Sequence, residues 1–214
     1  LEGAGGVKTK PTEHAVGELR EIGIQPDILV GRSDTEVEPD IRRKISLFCD
    51  VDFDSVVSAP DVSCIYELPL QLARQGVDER IAELLNIWSR RADLGSWEHV
   101  VQRITEPSYE VTIGIVGKYT QLIESYKSLH EALVHGGIPH DAKVNLQYVE
   151  STDLASPERA LAGLDGILVP GGFGERGIEG MIAAVRHARE EGIPLFGICL
   201  GMQMAVVEFA RHVC

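Results

Sequence analysis

The sequence predicts an α/β fold made of two α/β pieces. Short apolar runs of strand length alternate with stretches of helical spacing along most of the 214 residues, a pattern typical of parallel sheets connected by helices. Glycine-rich turns follow several of these runs, for example at residues 171–174 and 197–201. In the second piece, this regular alternation indicates a doubly wound parallel sheet with a functional site along the carboxyl ends of its strands.

Composition narrows the range of functions. A net charge of −13 argues against a general binder of nucleic acid or anionic membranes. No apolar run approaches the length of a membrane span, and no signal peptide is visible. The four cysteines are scattered without a Cys-x-x-Cys pair, so a reduced, cytoplasmic protein is expected. Because the chain begins without Met and stops within a predicted helix, we expect it to be a piece of a longer protein.

In the first piece, we expect helices over residues 13–22, 38–47, 70–75 and 78–85, and strands over 26–30 and 54–58. Thr12 is the predicted N-cap of the first helix. Lys8 and Lys10 lie two positions apart on a segment predicted to be extended, so they would point to the same side. Two ammonium groups beside threonine hydroxyls suit a polyphosphate. The alternative is a solvated pair of lysines in a loop.

The stretch from residue 88 to 108 is interpreted as an interdomain linker that packs through Trp88 and Trp97. It contains a predicted helix over residues 96–103, and the cluster Thr105-Glu106-Pro107-Ser108 is the domain boundary that composition favours. We do not expect either tryptophan to form a binding site. The predicted organisation is therefore a first domain over 1–87, a linker over 88–108 and a second domain over 109–214.

The second domain is expected to alternate strands and helices regularly. Predicted strands cover residues 110–116, 144–149, 165–170 and 193–196, and predicted helices cover 125–135, 156–164, 178–191 and 204–212. Ser156 is the predicted N-cap of the second of these helices.

A cysteine lies on the last strand-to-helix turn, Gly197-Ile198-Cys199-Leu200-Gly201-Met202-Gln203. The pattern Gly-x-Cys-x-Gly is that of a nucleophile elbow with cysteine in place of serine. Glycines are needed on both sides because the tight turn brings backbone close to these positions. The sulfur would lie at a helix N-terminus, which favours an anion. The alternative is a small buried cysteine that only packs in the turn.

A second loop, Pro170-Gly171-Gly172-Phe173-Gly174, is predicted to complete the site. Attack of a thiolate on an amide produces an oxyanion that requires N–H donors about 3 Å away. The amide of Leu200, directly after the nucleophile, is one candidate donor. Gly172, in a loop free of bulky side chains, is a natural second donor, although a simple glycine turn is the alternative.

No general base can be assigned in this sequence. Cysteine nucleophiles usually work with a histidine oriented by a third group, and His212 is the histidine that follows Cys199. Because it lies thirteen positions further along one helix, a rise of about 1.5 Å per residue separates the two by roughly 20 Å. The other six histidines precede the elbow and are interpreted as surface or packing residues. The catalytic triad is therefore incomplete in this chain.

The two loops together resemble class I glutamine amidotransferases. This resemblance implies that Cys199 is the nucleophile, that Gly172 is an oxyanion donor, and that glutamine is contacted by Gly172, Leu200, Gly201, Met202 and Gln203. Within that class, Val-Gly-Lys-Tyr, Tyr-Lys-Ser, Val-Pro-Gly-Gly-Phe-Gly and Gly-Ile-Cys-Leu-Gly-Met-Gln resemble the CTP synthase family.

The first piece carries the same resemblance through Lys-Thr-Lys-Pro-Thr, Ile-Gly-Ile-Gln-Pro-Asp-Ile-Leu-Val, Arg-Ser-Asp and Lys-Ile-Ser-Leu-Phe-Cys. It implies that residues 1–87 are the end of a P-loop-like amidoligase (synthetase) domain. The implied UTP and CTP site comprises Lys8, Thr9, Lys10, Pro11, Thr12, Glu13 and Lys44. The implied ATP site comprises Arg32, Pro60, Asp61 and Val62. Glu13 stands where the family usually has Gln, and Gly6 where an acidic residue is common; Glu13 would either repel a triphosphate or face away from it.

The resemblance further implies ATP-dependent amination of UTP to CTP with ammonia from glutamine. Mg²⁺ would accompany ATP on ligands outside this chain, with CTP as feedback inhibitor, GTP as activator and a homotetramer as the assembly. A non-catalytic binding or assembly protein that retains the fold without the triad is the alternative. Another amidotransferase, making GMP or a folate precursor, is a weaker one because it would not explain residues 8–12 or Lys44.

Overall fold

The computed structural model describes residues 8–88, 90–118 and 123–214, so Gly6 and the tyrosine of the Val-Gly-Lys-Tyr motif lie outside the described residues. The chain divides into two compact units between Thr105 and Glu106. This division falls within the cluster that composition predicts as the domain boundary. Among the described residues, no helix is long and apolar enough to cross a membrane.

The first unit contains a two-stranded parallel sheet with helices around it. Its elements are α1 (Lys10–Glu21), β1 (Leu29–Ser33), α2 (Pro39–Cys49), β2 (Val56–Pro60), α3 (Leu68–Arg74), α4 (Val77–Leu84) and α5 (Gly95–Thr105). The two strands pair in register from Leu29 opposite Val56 to Ser33 opposite Pro60. Buried side chains of α1, α2 and β2, among them Val16, Ile45 and Val56, form its core. The predicted α/β character of this piece is confirmed.

The first helix begins earlier than the sequence pattern predicts. Its first residue is Lys10, and Thr9 occupies the N-cap position without a capping side-chain hydrogen bond. Pro11 explains the difference, because its fixed φ angle suits the first turn of a helix. Thr12 therefore lies inside the helix, and its prediction as N-cap is wrong. The prediction that Lys8 and Lys10 share one side of an extended segment is also wrong, since Lys10 is helical.

The predicted linker contributes a helix to the first unit. In α5, Trp97 donates a hydrogen bond from Nε1 to the carbonyl oxygen of Tyr66 at 2.6 Å, and the two rings lie 6.1 Å apart. Trp97 thus packs as predicted. Trp88, in contrast, is 82% exposed in this chain, so the expected packing of that tryptophan is wrong.

The second unit contains a four-stranded parallel sheet with the strand order β4-β3-β5-β6. Its elements are β3 (Tyr109–Gly117), α6 (Lys127–Gly137), β4 (Ala142–Glu150), α7 (Pro157–Ala160), β5 (Gly166–Val169), α8 (Ile178–Glu191), β6 (Leu195–Gly197) and α9 (Leu200–His212). The chain reverses its strand order next to β3, which is where proteins with doubly wound sheets bind ligands. The alternation predicted from the sequence is confirmed.

The helix predicted over residues 156–164 is the clearest difference in this unit. Only one turn forms, α7, and Ser156 makes no capping side-chain hydrogen bond. Gly163 adopts a φ of +74°, which a continuing helix does not allow. Leu161 and Leu164 are buried nevertheless. Their apolar spacing therefore reflects burial in the core and not a longer helix.

Candidate active site

Cys199 lies on a sharp turn between β6 and α9, as predicted. Its φ of 50° and ψ of −102° are a conformation that residues other than glycine rarely adopt. Such backbone costs about 1–3 kcal/mol and persists where the surrounding structure enforces it, often at active sites. The residue is exposed. The alternative of a cysteine that is only a buried packing residue is therefore wrong.

The surroundings of the turn explain the two flanking glycines. A methyl group added at Gly201 would lie 2.0 Å from the carbonyl oxygen of Val169, and one added at Gly197 would lie 2.6 Å from the backbone nitrogen of Met202. Both distances are far below van der Waals contact, and both involve backbone that cannot rotate away. Only glycine fits at these two positions.

The glycine loop after β5 lies beside the cysteine. A methyl group on Gly171 would lie 3.7 Å from Cβ of Cys199, and one on Gly172 would lie 3.4 Å from Cδ2 of Leu200. Both are ordinary van der Waals distances, so the loop packs directly against the turn. On the other side of Cys199, α9 begins with the N–H of Leu200, and the N–H of Gly201 donates to the carbonyl oxygen of Ile198 at 2.9 Å. The backbone of the glycine loop and the start of α9 thus both lie next to Cys199.

The four residues after the nucleophile form the first turn of α9. Leu200 and Gly201 are buried, whereas Met202 and Gln203 are exposed. The amide of Gln203 donates to the carbonyl oxygen of Cys199 at 3.1 Å, which fixes the turn to the helix. Of the predicted glutamine contacts, Met202 and Gln203 can offer side chains to a substrate, whereas Leu200 and Gly201 can offer backbone.

His212 lies at the opposite end of α9 from Cys199. Its Nδ1 is 3.1 Å from the carbonyl oxygen of Glu208 and 3.4 Å from Glu208 Oε1. The helix between the two residues has thirteen residues, a length of about 20 Å. As the sequence predicts, His212 cannot be the base for Cys199.

An ion pair that the sequence analysis missed, between a partly exposed arginine and a buried glutamate, connects α8 to α9. Glu208 is 1% exposed, and Arg189 donates to its two oxygens at 2.8 and 3.1 Å. These hydrogen bonds, aided by the charges of Arg189 and His212, lower the pKa of Glu208, although burial and the charge of Glu190 act in the opposite direction. The signal available in the sequence was an acidic residue among the apolar positions of α9.

We expect Glu208→Gln to lower the stability of the protein by about 1–3 kcal/mol at neutral pH, because a buried hydrogen bond to a charged group is lost. The pKa of Glu208 is lower in the folded protein than in the unfolded chain. The Glu208 carboxylate therefore stabilises the fold fully at pH values above its unfolded pKa, and this stabilisation is lost as the pH falls through its folded pKa. Unfolding midpoints measured between neutral and acid pH should therefore converge for wild type and variant. Glu158→Gln, on the short helix α7, is the control. A constant difference at all pH values would contradict this account.

Lys118 is a second residue that the sequence analysis left without a role. It directly follows β3 and is 3% exposed. Its ammonium group donates to the carbonyl oxygens of Phe173, at 3.1 Å, and of Gly174. Arg176 in turn donates to the carbonyl oxygen of Lys118. The glycine loop and the residues that follow it are thus hydrogen-bonded to both the side chain and the backbone of Lys118, at the end of β3.

The four residues predicted to line an ATP site lie together in the first unit. Arg32, Pro60, Asp61 and Val62 border one open cavity of about 570 Å³ at the carboxyl ends of β1 and β2. Nε of Arg32 donates to Oδ1 of Asp61 at 2.9 Å. The structure brings together residues that are about 30 positions apart in sequence, because the parallel strands end at the same edge.

The predicted UTP and CTP residues occupy the start of α1 and the middle of α2. Lys8, Lys10, Pro11 and Lys44 are exposed, Thr12 and Glu13 are half-buried, and Thr9 is buried. Atom Oε1 of Glu13 is buried without a hydrogen-bond partner. Burial, and to a smaller extent the charge of Glu13, raise the pKa of the Cys49 thiol, which the charge of Arg20 opposes. Glu13 lies three positions before Val16, which packs against Ile45 and Cys49 of α2, so its side chain is on the side of α1 that faces α2.

A metal site is not found in the part of the chain that the structure describes. No group of three or more His, Cys, Asp or Glu side chains there is arranged to bind an ion. No described residue is therefore assigned as a ligand of the Mg²⁺ that would accompany ATP.

Comparison with protein families agrees with this geometry. The class I glutamine amidotransferase family matches residues 121–214, which contain the elbow, the glycine loop and three of the four strands of the parallel sheet. The second unit is thus a class I glutamine amidotransferase domain. Residues 1–87 match the CTP synthase N-terminus.

Similar proteins extend the match to the whole chain. The CTP synthase of Syntrophus aciditrophicus (strain SB) is 61% identical over 216 residues, which cover 100% of this chain and 40% of that protein. The CTP synthase of Desulfotalea psychrophila is 56% identical over 214 residues, 99% of this chain and 39% of that protein. A solved structure, "Trypanosoma brucei CTPS - glutaminase domain with bound acivicin", is 44% identical, with a TM-score of 0.45 over 48% of this chain and 41% of that one. The chain belongs to the CTP synthase family and spans about two fifths of the length of its curated relatives.

Proposed function

We propose that the complete protein hydrolyses glutamine at Cys199 and uses the ammonia to aminate UTP to CTP in an ATP-dependent reaction. The observation that carries the proposal is the exposed, strained Cys199, with φ of 50°, beside the glycine loop. A cysteine that only packs requires neither this strained backbone nor a glycine on each side of the turn. The family matches of both units support the same reaction.

In the first half of this reaction, Sγ of Cys199 attacks the carboxamide carbon of glutamine. The carbonyl oxygen becomes an oxyanion, which the N–H groups of Leu200 and Gly172 stabilise. When the intermediate collapses, the C–N bond breaks, the nitrogen takes up the proton that the thiol gave up and leaves as ammonia, and a γ-glutamyl thioester remains on Cys199. Water then hydrolyses the thioester to glutamate and restores the thiol. The proton transfers require a histidine and a glutamate that we place beyond the nucleophile helix in the complete protein.

In the second half, ATP transfers a phosphoryl group to an oxygen of the UTP base and becomes ADP, and ammonia then displaces that oxygen as inorganic phosphate to give CTP. We place ATP in the cavity bordered by Arg32, Pro60, Asp61 and Val62, where the Arg32 guanidinium can bind phosphate. Mg²⁺ would bind with ATP and neutralise phosphate charge. We place UTP, and CTP as inhibitor, at Lys8, Thr9, Lys10, Pro11, Thr12, Glu13 and Lys44. GTP as activator, a homotetrameric assembly and a cytoplasmic location belong to the same proposal.

The lysines of the proposed UTP and CTP site give a direct test. Lys8→Ala or Lys44→Ala should raise the UTP concentration needed for half-maximal rate by about tenfold and weaken CTP inhibition, because each removes one charge-assisted contact to phosphate worth about 1.5 kcal/mol. Arg43→Ala is the matched control, since Arg43 is an exposed cation next to Lys44 that pairs with Asp40. Unchanged UTP and CTP titrations in both lysine variants would contradict the phosphate role.

The proposed function as a whole is tested by measuring CTP formation in the complete gene product that carries this chain. Glutamine and ammonium chloride are supplied in separate reactions with UTP, ATP and Mg²⁺. We expect CTP from both nitrogen sources. If nucleotides bind but neither source yields CTP, the protein is a non-catalytic binding protein, and the proposal is wrong.

A further inference from the structure

The buried ammonium group of Lys118 is the feature that the proposed reaction leaves unexplained. Lysine side chains are almost never fully buried unless they are paired, because removing a charge from water is costly. Lys118 is only 3% exposed, and it donates to the carbonyl oxygens of Phe173 and Gly174. A cation in this position must be compensated by the orientation of the peptide groups around it.

The loop that Lys118 contacts has little to fix its own conformation. Positions 171, 172 and 174 are glycines, which lose the most conformational freedom on folding. Gly174 adopts a φ of +77°. No side chain at these three positions can fix the loop. Its orientation therefore depends on contacts from outside, of which the Lys118 ammonium is one.

Lys118 both donates hydrogen bonds through its side chain and accepts one through its backbone carbonyl. The side chain of Lys118 donates to the carbonyl oxygens of the last two residues of the loop, and Arg176, two residues after the loop, donates to the carbonyl oxygen of Lys118. Because a peptide group is planar, fixing the direction of a carbonyl also fixes the direction of the following N–H. The Lys118 contacts thus fix the peptide groups that follow Phe173 and Gly174, the second of which follows Gly172 by two residues. Gly171, at the start of the same short loop, lies beside Cys199.

We propose that Lys118 is a positioning residue for glutamine hydrolysis: its buried ammonium fixes the 171–174 loop so that the Gly172 N–H faces the oxyanion. This inference rests on the proposed glutaminase function and adds a residue to it. Lys118 itself does not contact glutamine and transfers no proton. Because Lys118 acts through the loop, its loss should weaken stabilisation of the oxyanion more than it changes the reactivity of the Cys199 thiol.

Lys118→Met tests this inference in the complete protein, since methionine fills a similar volume without the charge. Loss of one oxyanion donor costs about 10²–10³ in kcat, and for an indirect effect we expect kcat of glutamine hydrolysis to fall about 10- to 100-fold with KM for glutamine nearly unchanged. Alkylation of Cys199 by iodoacetamide, followed by mass spectrometry of its peptide, requires the thiol but no oxyanion and should keep its wild-type rate. CTP formation from ammonia should also be retained, which shows that the variant is folded.

Lys143→Met is the matched control. Lys143 lies in the same sheet at the start of β4, where it pairs with Glu110 at 3.0 Å, so its replacement should leave kcat unchanged. If Lys118→Met does not fold, Lys118→Gln is measured by the same criteria. An unchanged kcat, a change confined to KM, or slower alkylation of Cys199 in parallel with the loss of kcat would overturn the inference. Absence of glutaminase activity in the wild type would instead overturn the proposed function itself.

Discussion

Replacing Cys199 with alanine should abolish glutamine-dependent CTP formation while ammonia-dependent formation survives. No other group in the turn can form the thioester, so the glutamine-dependent rate should fall by about 10⁴-fold or more, the scale seen when a catalytic nucleophile is removed. Ammonia bypasses this step and needs only the nucleotide sites. The experiment measures CTP formation in the complete protein with each nitrogen source in turn.

Cys214→Ala provides a matched control, because Cys214 is also an exposed free cysteine but lies at the other end of α9. Both rates should be unchanged in that variant. If Cys199→Ala lost the ammonia-dependent rate as well, Cys199 would have a role beyond that of the nucleophile. If it retained the glutamine-dependent rate, the proposed site would be wrong.

The second large effect is expected from Gly201→Ala. The added methyl group would lie 2.0 Å from the carbonyl oxygen of Val169, so either α9 or β5 must move. Overpacking against backbone costs about 3 kcal/mol, and a displacement of about 1 Å at a catalytic group can cost 10²-fold in rate. We therefore expect a lower unfolding temperature and a loss of glutaminase activity of at least about 100-fold, with ammonia-dependent synthesis less affected.

Gly136→Ala tests whether this effect is specific to the turn. Gly136 lies in α6 with open space where the methyl group would be placed, and alanine is favoured over glycine in a helix by about 0.5–1 kcal/mol. The unfolding temperature should remain the same or rise, and both activities should be retained. Equal losses in Gly136→Ala and Gly201→Ala would contradict the steric explanation.

Parts of the site could be predicted because one residue type alone satisfies the local geometry. Gly197, Cys199 and Gly201 form a pattern in which both glycines are sterically required, and the structure confirms the turn. The alternation of strands and helices could likewise be predicted from the sequence, because buried parallel strands are short apolar runs. The start of α1 was not placed correctly, because Pro11 favours a first helical turn that the apolar spacing does not reveal.

Other parts depend on tertiary contacts that a single sequence does not contain. A lysine such as Lys118 is normally solvated, and nothing in its neighbours indicates that two loop carbonyls surround it. The pairing of Arg189 with Glu208 joins two helices, and spacing along one helix cannot predict it. Arg32 and Asp61 meet because β1 and β2 pair in a particular register, which apolar runs do not specify.

The central claim is that Cys199 liberates the nitrogen that reaches UTP, and isotope transfer tests it most directly. The complete protein is supplied with UTP, ATP, Mg²⁺ and glutamine that carries ¹⁵N in its side-chain amide, and the CTP formed is analysed by mass spectrometry. We predict ¹⁵N in the amino group of CTP with wild-type protein and no labelled CTP with Cys199→Ala. Unlabelled CTP from the wild type, or labelled CTP from the Cys199→Ala variant, would contradict the claim.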